Sequence, residues 1–292
     1  MPRKAARDRT SLTMLGWGLN EEQNVRGYIE RAERLLSAHA TDFELILFDD
    51  GSTDRTWEIA SECARTRPWL LLVKNERNLG PAFCTKQGFQ LATKDYVFWQ
   101  TCDWAYDIDL LISSLQLLED HDVLQGVRLG SLSPRGIASA RSDNLRKGVI
   151  SAVNYLLIRL LFRLPLHDYQ NVTVYPRELV LSLDLESNSS FTNAELLLKS
   201  WWKGASFQEV PVRFIKRTVG KGKGTSIRRI LQSVQDILHW WCRWVVLGRR
   251  ADFGRGTVSY WQEPSTAVTP SIGPLRPARP ILVGTDDRRK AA

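Results

Sequence analysis

The 292-residue chain is short of the residues that build metal and redox centres. Its four cysteines, Cys63, Cys84, Cys102 and Cys242, form no CxxC or other metal-ligand spacing, so reduced thiols are expected and a disulfide framework is not. Four scattered histidines argue against a zinc site. Long apolar runs are missing too. The best candidate for crossing a membrane, residues 149–166, carries Arg159 and Arg163 in its middle, which is costly in a bilayer. Residues 1–9 are basic with no suitable apolar stretch behind them, so no signal peptide is expected. These absences point to a cytoplasmic protein, soluble or peripheral to a membrane.

What is present is ordinary for a globular α/β protein, at 43% hydrophobic and 25% charged residues, with enough chain for a substantial core. Two features are not ordinary. There are eleven tryptophans, and the formal charge is +8. Between Arg213 and Arg255 stand eleven Lys or Arg against two acids, Asp236 and Asp252, and that +9 accounts for the whole excess.

Strand and helix patterns alternate along residues 12–118, which predicts a mostly parallel sheet. The apolar run Leu45 to Phe48 reads as a buried parallel strand. It stops at Asp49-Asp50-Gly51-Ser52-Thr53-Asp54, where Thr53 or Asp54 can cap a helix over residues 55–67. Carboxylates at the carboxyl end of such a strand stand where open α/β sheets bind ligands. Further strands are expected over residues 12–15, 70–74, 95–99, 123–128 and 207–215, and helices over 22–38, 81–93, 109–119 and 192–203. Gly16 and Gly18 have dinucleotide-fingerprint spacing, but Glu21 replaces the third glycine, so that fingerprint is not supported.

The run Asp49 to Asp54 resembles the signature of family 2 glycosyltransferases, whose fold is GT-A, a Rossmann-like nucleotide-diphospho-sugar transferase fold. The likeness, over residues 12–226, is greatest to the dolichyl-phosphate mannose synthase and polyprenyl-phosphate glycosyltransferase group. It implies that Asn20 and Glu21 touch the nucleotide base and that Asp50, with Asp49, holds the nucleoside. Asn78, Gly80 and Gly88 match a family turn and helix, and Arg128 ends a Gly-x-Arg that supports the site or makes a structural ion pair. The family's Asp-x-Asp is here Thr101-Cys102-Asp103, leaving Asp103 to hold Mg²⁺ or Mn²⁺ on the donor diphosphate. Glu195 falls where relatives place an acid at the acceptor side, a candidate base for a hydroxyl acceptor. Arg217, Lys221 and Lys223 lie in a basic glycine-containing loop that binds phosphates in relatives, although it is no Walker A.

Two helices bear on location. Over residues 145–164, Val149, Val153, Leu156, Leu157, Leu160 and Leu164 form one stripe, which suits a core helix or an interfacial one equally. Residues 226–247 are amphipathic, with Trp240, Trp241 and Trp244 beside Arg243, Arg249 and Arg250, the composition of a membrane-interface anchor. The expected organisation is a disordered basic segment at 1–10, a GT-A domain over 11–225, a basic Trp-rich helix over 226–253 and a disordered tail from 254 to 292. The implied function is inverting transfer of a sugar from a nucleotide-diphosphate sugar to a polyprenyl phosphate at the cytoplasmic face of a membrane. Two other readings stand at this point: transfer to a soluble hydroxyl acceptor, and a non-catalytic nucleotide-sugar-binding member lacking a complete Asp-x-Asp. No RNA- or DNA-binding motif accompanies the positive charge, so nucleic acid is not an expected partner.

Overall fold

A computed structural model describes residues 10–128, 145–215, 227–248, 256–260 and 282–284. They divide into two compact units: residues 10–104 with 282–284, and residues 105–128, 145–215, 227–248 and 256–260.

In the first unit, strands β1 (Ser11–Gly18), β2 (Asp42–Asp49), β3 (Leu70–Asn75) and β4 (Tyr96–Trp99) alternate with helices α1 (Val25–His39), α2 (Thr56–Ala64) and α3 (Pro81–Leu91). The sheet order is β10-β3-β2-β1-β4, with β10 at Leu282–Gly284, and every pairing is parallel. Parallel strands covered on both faces need apolar runs, and Met14, Leu15, Leu45, Ile46, Phe48 and Phe98 are fully buried. Val25, Tyr28, Ile29, Ala32, Leu35 and Leu36 recur at helical spacing and form the buried face of α1. Gly18 stands opposite Asp49, and Asp49 opposite Lys74, so the loops after β1, β2 and β3 leave from one edge of the sheet.

The second unit contains β5 (Tyr106–Asp107), α4 (Asp109–Ser113), a 3₁₀ turn (Leu115–Glu119), β6 (Val123–Arg128) and α5 (Leu145–Phe162). It continues through β7 (Thr173–Pro176), α6 (Arg177–Leu181), α7 (Thr192–Trp202), β8 (Ser206–Phe214), α8 (Ile227–Trp241), a π-helical turn (Cys242–Val246) and β9 (Thr257–Ser259). Here β6 pairs antiparallel with β7 and parallel with β8, which also pairs antiparallel with β5 and parallel with β9.

Several expectations are corrected. The helix expected over residues 109–119 breaks at Ser114, whose hydroxyl donates back to the Leu110 carbonyl at 2.7 Å and competes with the helix ladder. The tail expected to be disordered contributes β9 and β10, one strand to each unit. Trp244 is not a surface anchor. It is buried among Phe162, Phe191, Trp202 and Trp240, with ring centroids 4.8–6.3 Å from its own. Conversely, α5 buries Tyr155, Ile158 and Phe162 and leaves Val153, Leu156 and Leu160 exposed, Leu160 at 72%. The apolar stripe read in the sequence is therefore largely its outward face.

Candidate functional site

The loops after β1 and β2 are sewn together by side chains. Asn20 adopts a left-handed backbone (φ 56°) that a short polar residue tolerates. Its amide donates to the Ser52 hydroxyl at 2.9 Å, and its Oδ1 accepts from the Thr53 amide at 2.9 Å. The Glu21 amide donates to Thr56 Oγ1 at 2.8 Å. The N-cap of α2 is Arg55 rather than Thr53 or Asp54; Asp54 stands just before it, and its Oδ1 accepts from the Thr56 amide at 3.0 Å. Burial raises the Asp54 pKa, but hydrogen bonds from the Thr56 hydroxyl and amide and the Glu22 amide outweigh it and leave the carboxyl below its usual range.

Asp49 and Asp50 are both buried, and they differ in what they hold. The Asp49 Oδ1 accepts from the Ser52 amide at 3.0 Å, while its Oδ2 is buried with no hydrogen-bond partner. Asp50 accepts from the Asn75 side chain and the Leu79 and Gly80 amides, each at 2.9 Å. With both oxygens turned onto the β3–α3 loop, Asp50 positions that loop, whereas one Asp49 oxygen is buried without a hydrogen-bond partner. Gly80 thus enters the site through its amide, at the start of α3. Between the two loops only glycine fits at position 51: its φ is +81°, and a Cβ there would lie 2.5 Å from the Arg77 carbonyl carbon.

The Asp-x-Asp remnant follows β4. The Thr101 hydroxyl donates to Asp103 Oδ1, so the residue replacing the first acid ties down the second. Burial pushes the Cys102 thiol well above its usual range, and the nearby Glu21, Asp103 and Asp49 carboxylates push it further. Three expected site acids therefore share one neighbourhood. Among the described residues, no three His, Cys, Asp or Glu side chains are placed to hold a metal ion. A divalent ion held by the protein alone does not fit here; the first Asp-x-Asp position supplies a hydroxyl in place of a carboxylate.

The second unit holds two further predicted residues. Arg128 is the structural ion pair left open by the sequence: its Nε and Nη2 meet Asp168 at 2.7 and 2.8 Å, both residues being buried. Burial alone would lower the Arg128 pKa, and the Asp168 charge holds it above its usual value. Glu195 is not an accessible base. It is fully buried; Oε1 accepts from the Glu186 amide and Lys199 Nζ at 2.7 Å, and Oε2 accepts from the Ser187 amide at 2.8 Å. Arg217, Lys221 and Lys223 lie outside the described residues.

Sequence reasoning missed Asn75, Asp168 and Glu186. Glu186 receives Trp244 Nε1 at 2.8 Å, Arg243 at 2.7 Å and Lys199 at 3.2 Å, joining the loop before α7 to the π turn after α8. Only Asp168 carried a signal, as an acid next to a turn in a segment the resemblance already covered.

A sequence profile described as glycosyl transferase family 2 matches residues 19–175. A glycosyltransferase of Haloferax volcanii, AglD, is 29% identical over 75% of this chain and 35% of its own. The dolichol-phosphate mannosyltransferase of Pyrococcus furiosus is 22% identical over 76% of this chain and 62% of its own. The chain thus spans less than two thirds of either relative. Among solved structures, glucosyl-3-phosphoglycerate synthase of Mycobacterium tuberculosis, in complex with Mn²⁺, UDP and glucosyl-3-phosphoglycerate, superimposes with a TM-score of 0.56. That match has 17% identity over 86% of this chain and 88% of that one, a likeness of fold. The expected GT-A fold, with its mostly parallel sheet, is borne out.

Proposed function

The chain belongs to glycosyl transferase family 2, and from that premise we propose that it moves a sugar from a nucleotide-diphosphate sugar to a polyprenyl phosphate. The observation that carries this is the clustering of Asn20, Glu21, Asp49 and Asp103 on loops that leave the carboxyl ends of β1, β2 and β4. In this reading Asp49, whose buried Oδ2 has no hydrogen-bond partner, holds the nucleoside, and Asn20 fixes the loop that frames it. Asp50 acts behind them by holding the Leu79 and Gly80 amides in place.

Asp103 is the residue that would hold a Mg²⁺ or Mn²⁺ ion, which would supply neutralisation of the charge on the departing diphosphate. The protein's own contribution there is the single Asp103 carboxylate, oriented by the Thr101 hydroxyl. A phosphate acceptor is ionised near neutral pH and needs positioning and charge compensation rather than a base. That requirement suits a chain whose Glu195 is closed inside a loop. Arg217, Lys221 and Lys223 supply the cationic side of the proposal.

No helix among the described residues is long and apolar enough to cross a membrane. We place the acceptor at the cytoplasmic face of a membrane, met by the exposed Val153, Leu156 and Leu160 of α5 and by Leu238, Val246 and Leu247 at and after α8. Arginines between them, Arg159 and Arg163 among others, suit anionic head groups.

Calorimetric titration with UDP-, GDP- and dTDP-sugars, with and without Mn²⁺, tests the donor half. Metal-dependent binding lost in Asp103→Ala is expected. Wild-type protein that binds none of the donors would favour a non-catalytic role.

A further inference from the structure

One strand of the first unit comes from the far end of the chain. β10 lies parallel to β3, with Leu282 opposite Val73, Val283 opposite Lys74 and Gly284 opposite Asn75. On its other side β3 pairs with β2 only as far as Lys74, opposite Asp49. Asn75, one residue beyond the strand expected from the sequence, therefore has its ladder partner in the carboxyl-terminal tail and nowhere else among the described residues. We propose that β10 is a detachable positioning strand for the β3–α3 loop: docked, it fixes Asn75 and through it the Leu79 and Gly80 amides, and undocked it lets them go. Its functional meaning rests on the reading of that loop as part of the donor site.

The path from strand to loop is short. Asn75 is fully buried; its Nδ2 donates to Asp50 Oδ1 at 2.9 Å and meets Cys84 Sγ at 3.7 Å, while its Oδ1 is buried with no hydrogen-bond partner. With one end of the amide unengaged, the backbone of β3 decides where Nδ2 points. Asp50 Oδ1 also accepts from the Leu79 amide, and Oδ2 from the Gly80 amide, each at 2.9 Å. One oxygen is thus shared between Asn75 and Leu79, so a shift of the first is felt at the second. The loop has little slack to absorb it, because Arg77 already lies against Gly51, whose missing Cβ would stand 2.5 Å from the Arg77 carbonyl carbon.

The same strand is suited to come and go. It is three residues long, at the short end of the range for strands, and so brief an edge pairing belongs to the low-stability end of a fold. The sequence that joins it to β9 carries Pro264, Pro270, Pro274, Pro277 and Pro280, the composition of a linker rather than of a packed element. What it covers is the edge of β3, a strand buried over residues 70–73 whose backbone would otherwise end the sheet unpaired. This is peptide recognition by a sheet edge with the peptide supplied in cis.

Amide hydrogen exchange on the full chain, without ligand, tests the coupling. Val283→Pro removes an amide donor and locks φ at about −65°, away from the value of about −120° that a parallel strand takes. Val283→Ile keeps the strand propensity. The Leu79 and Gly80 amides should exchange about tenfold faster in Val283→Pro, as weakening one hydrogen bond would give, and at the wild-type rate in Val283→Ile. The Asp50 amide, bonded to the Gly18 carbonyl, and the Gln100 amide, bonded to the Leu15 carbonyl, should hold their rates, because neither bond runs through Asn75. Unchanged exchange at Leu79 and Gly80 would overturn the proposal, and so would a loss of protection shared by Asp50 and Gln100, which is general loosening. Asn75→Ala should speed the same two amides and leave Val283→Pro nothing to add; additive effects would break the path through Asn75. Donor affinity should fall in Val283→Pro as the loop loosens, and an intact affinity beside a loosened loop would remove the positioning role. A wild type that binds no donor would sink the donor reading alone, since the exchange rates still decide whether β10 holds the loop.

Discussion

Replacing Glu195 by glutamine separates a structural clamp from a chemical base. The carboxylate accepts the Glu186 and Ser187 amides at 2.7 and 2.8 Å, one on each oxygen, and Lys199 at 2.7 Å. Glutamine keeps one acceptor oxygen and turns an NH₂ toward the other amide. One charge-assisted hydrogen bond of about 1.5–3 kcal/mol is lost, and the surviving one falls to neutral strength, about 0.5–1.5 kcal/mol. Lys199 still has Glu186 at 3.2 Å, so its stranding adds little. The sum is about 3 kcal/mol. For a domain of about 150–250 residues, each kcal/mol moves Tm by about 2–4 °C, so a drop of about 6–12 °C is expected. Thermal unfolding followed by circular dichroism measures it, alongside donor binding, which should survive below the transition. An unchanged Tm with lost turnover would refute the clamp and restore Glu195 as a base.

Three other expectations are open to measurement. Arg128→Met strands a buried Asp168 carboxylate and should cost about 3–5 kcal/mol in urea unfolding, most of it recovered when Asp168→Leu is added; a loss below about 1 kcal/mol would show the pair to be solvated. Asp54 has a folded pKa below its unfolded value near 3.8, so its stabilisation is full above that value and fades as the pH falls through the folded pKa. Asp54→Asn should accordingly flatten the acid limb of stability against pH, and a limb identical to wild type would contradict the assignment. Leu160→Glu, at a side chain 72% exposed, should leave the unfolding free energy within about 0.5 kcal/mol of wild type. It should also reduce partition onto anionic vesicles about tenfold or more, as expected for losing one leucine's burial of about 1.5–3 kcal/mol, and unchanged partition would remove α5 from the membrane-facing surface.

The sheet was legible because parallel strands buried on both faces are written as apolar runs: β6 spans residues 123–128 as expected, and β3 differs by one residue at its end. The cluster of Glu21, Asp49 and Asp103 was legible as well, since strand ends fix where their loops converge. The division of labour inside the cluster was not. Whether Asp50 faces a ligand or the Gly80 amide depends on a contact between residues 30 positions apart, which no local pattern encodes. The burial of Glu195 was not legible for the same reason, since two of its partners are backbone amides with no sequence signature. The Trp-rich end of α8 read as an anchor by composition, and only packing against Phe162, Phe191 and Trp202 reveals Trp244 as core. Exposure of the α5 stripe was undecidable from periodicity, because a helix's apolar face looks the same whatever covers it.

The stitching of Asn20 to Ser52 and Thr53, and of Glu21 to Thr56, has a consequence for anyone exchanging parts with other family members. Two stretches more than 30 residues apart behave as one inheritable piece. A graft that imports residues 18–24 alone would bring an amide and a side-chain oxygen whose counterparts stay behind in the host. Transplanting them with residues 49–56 keeps the seam closed, so the smallest exchangeable unit at this edge of the sheet is a pair of loops.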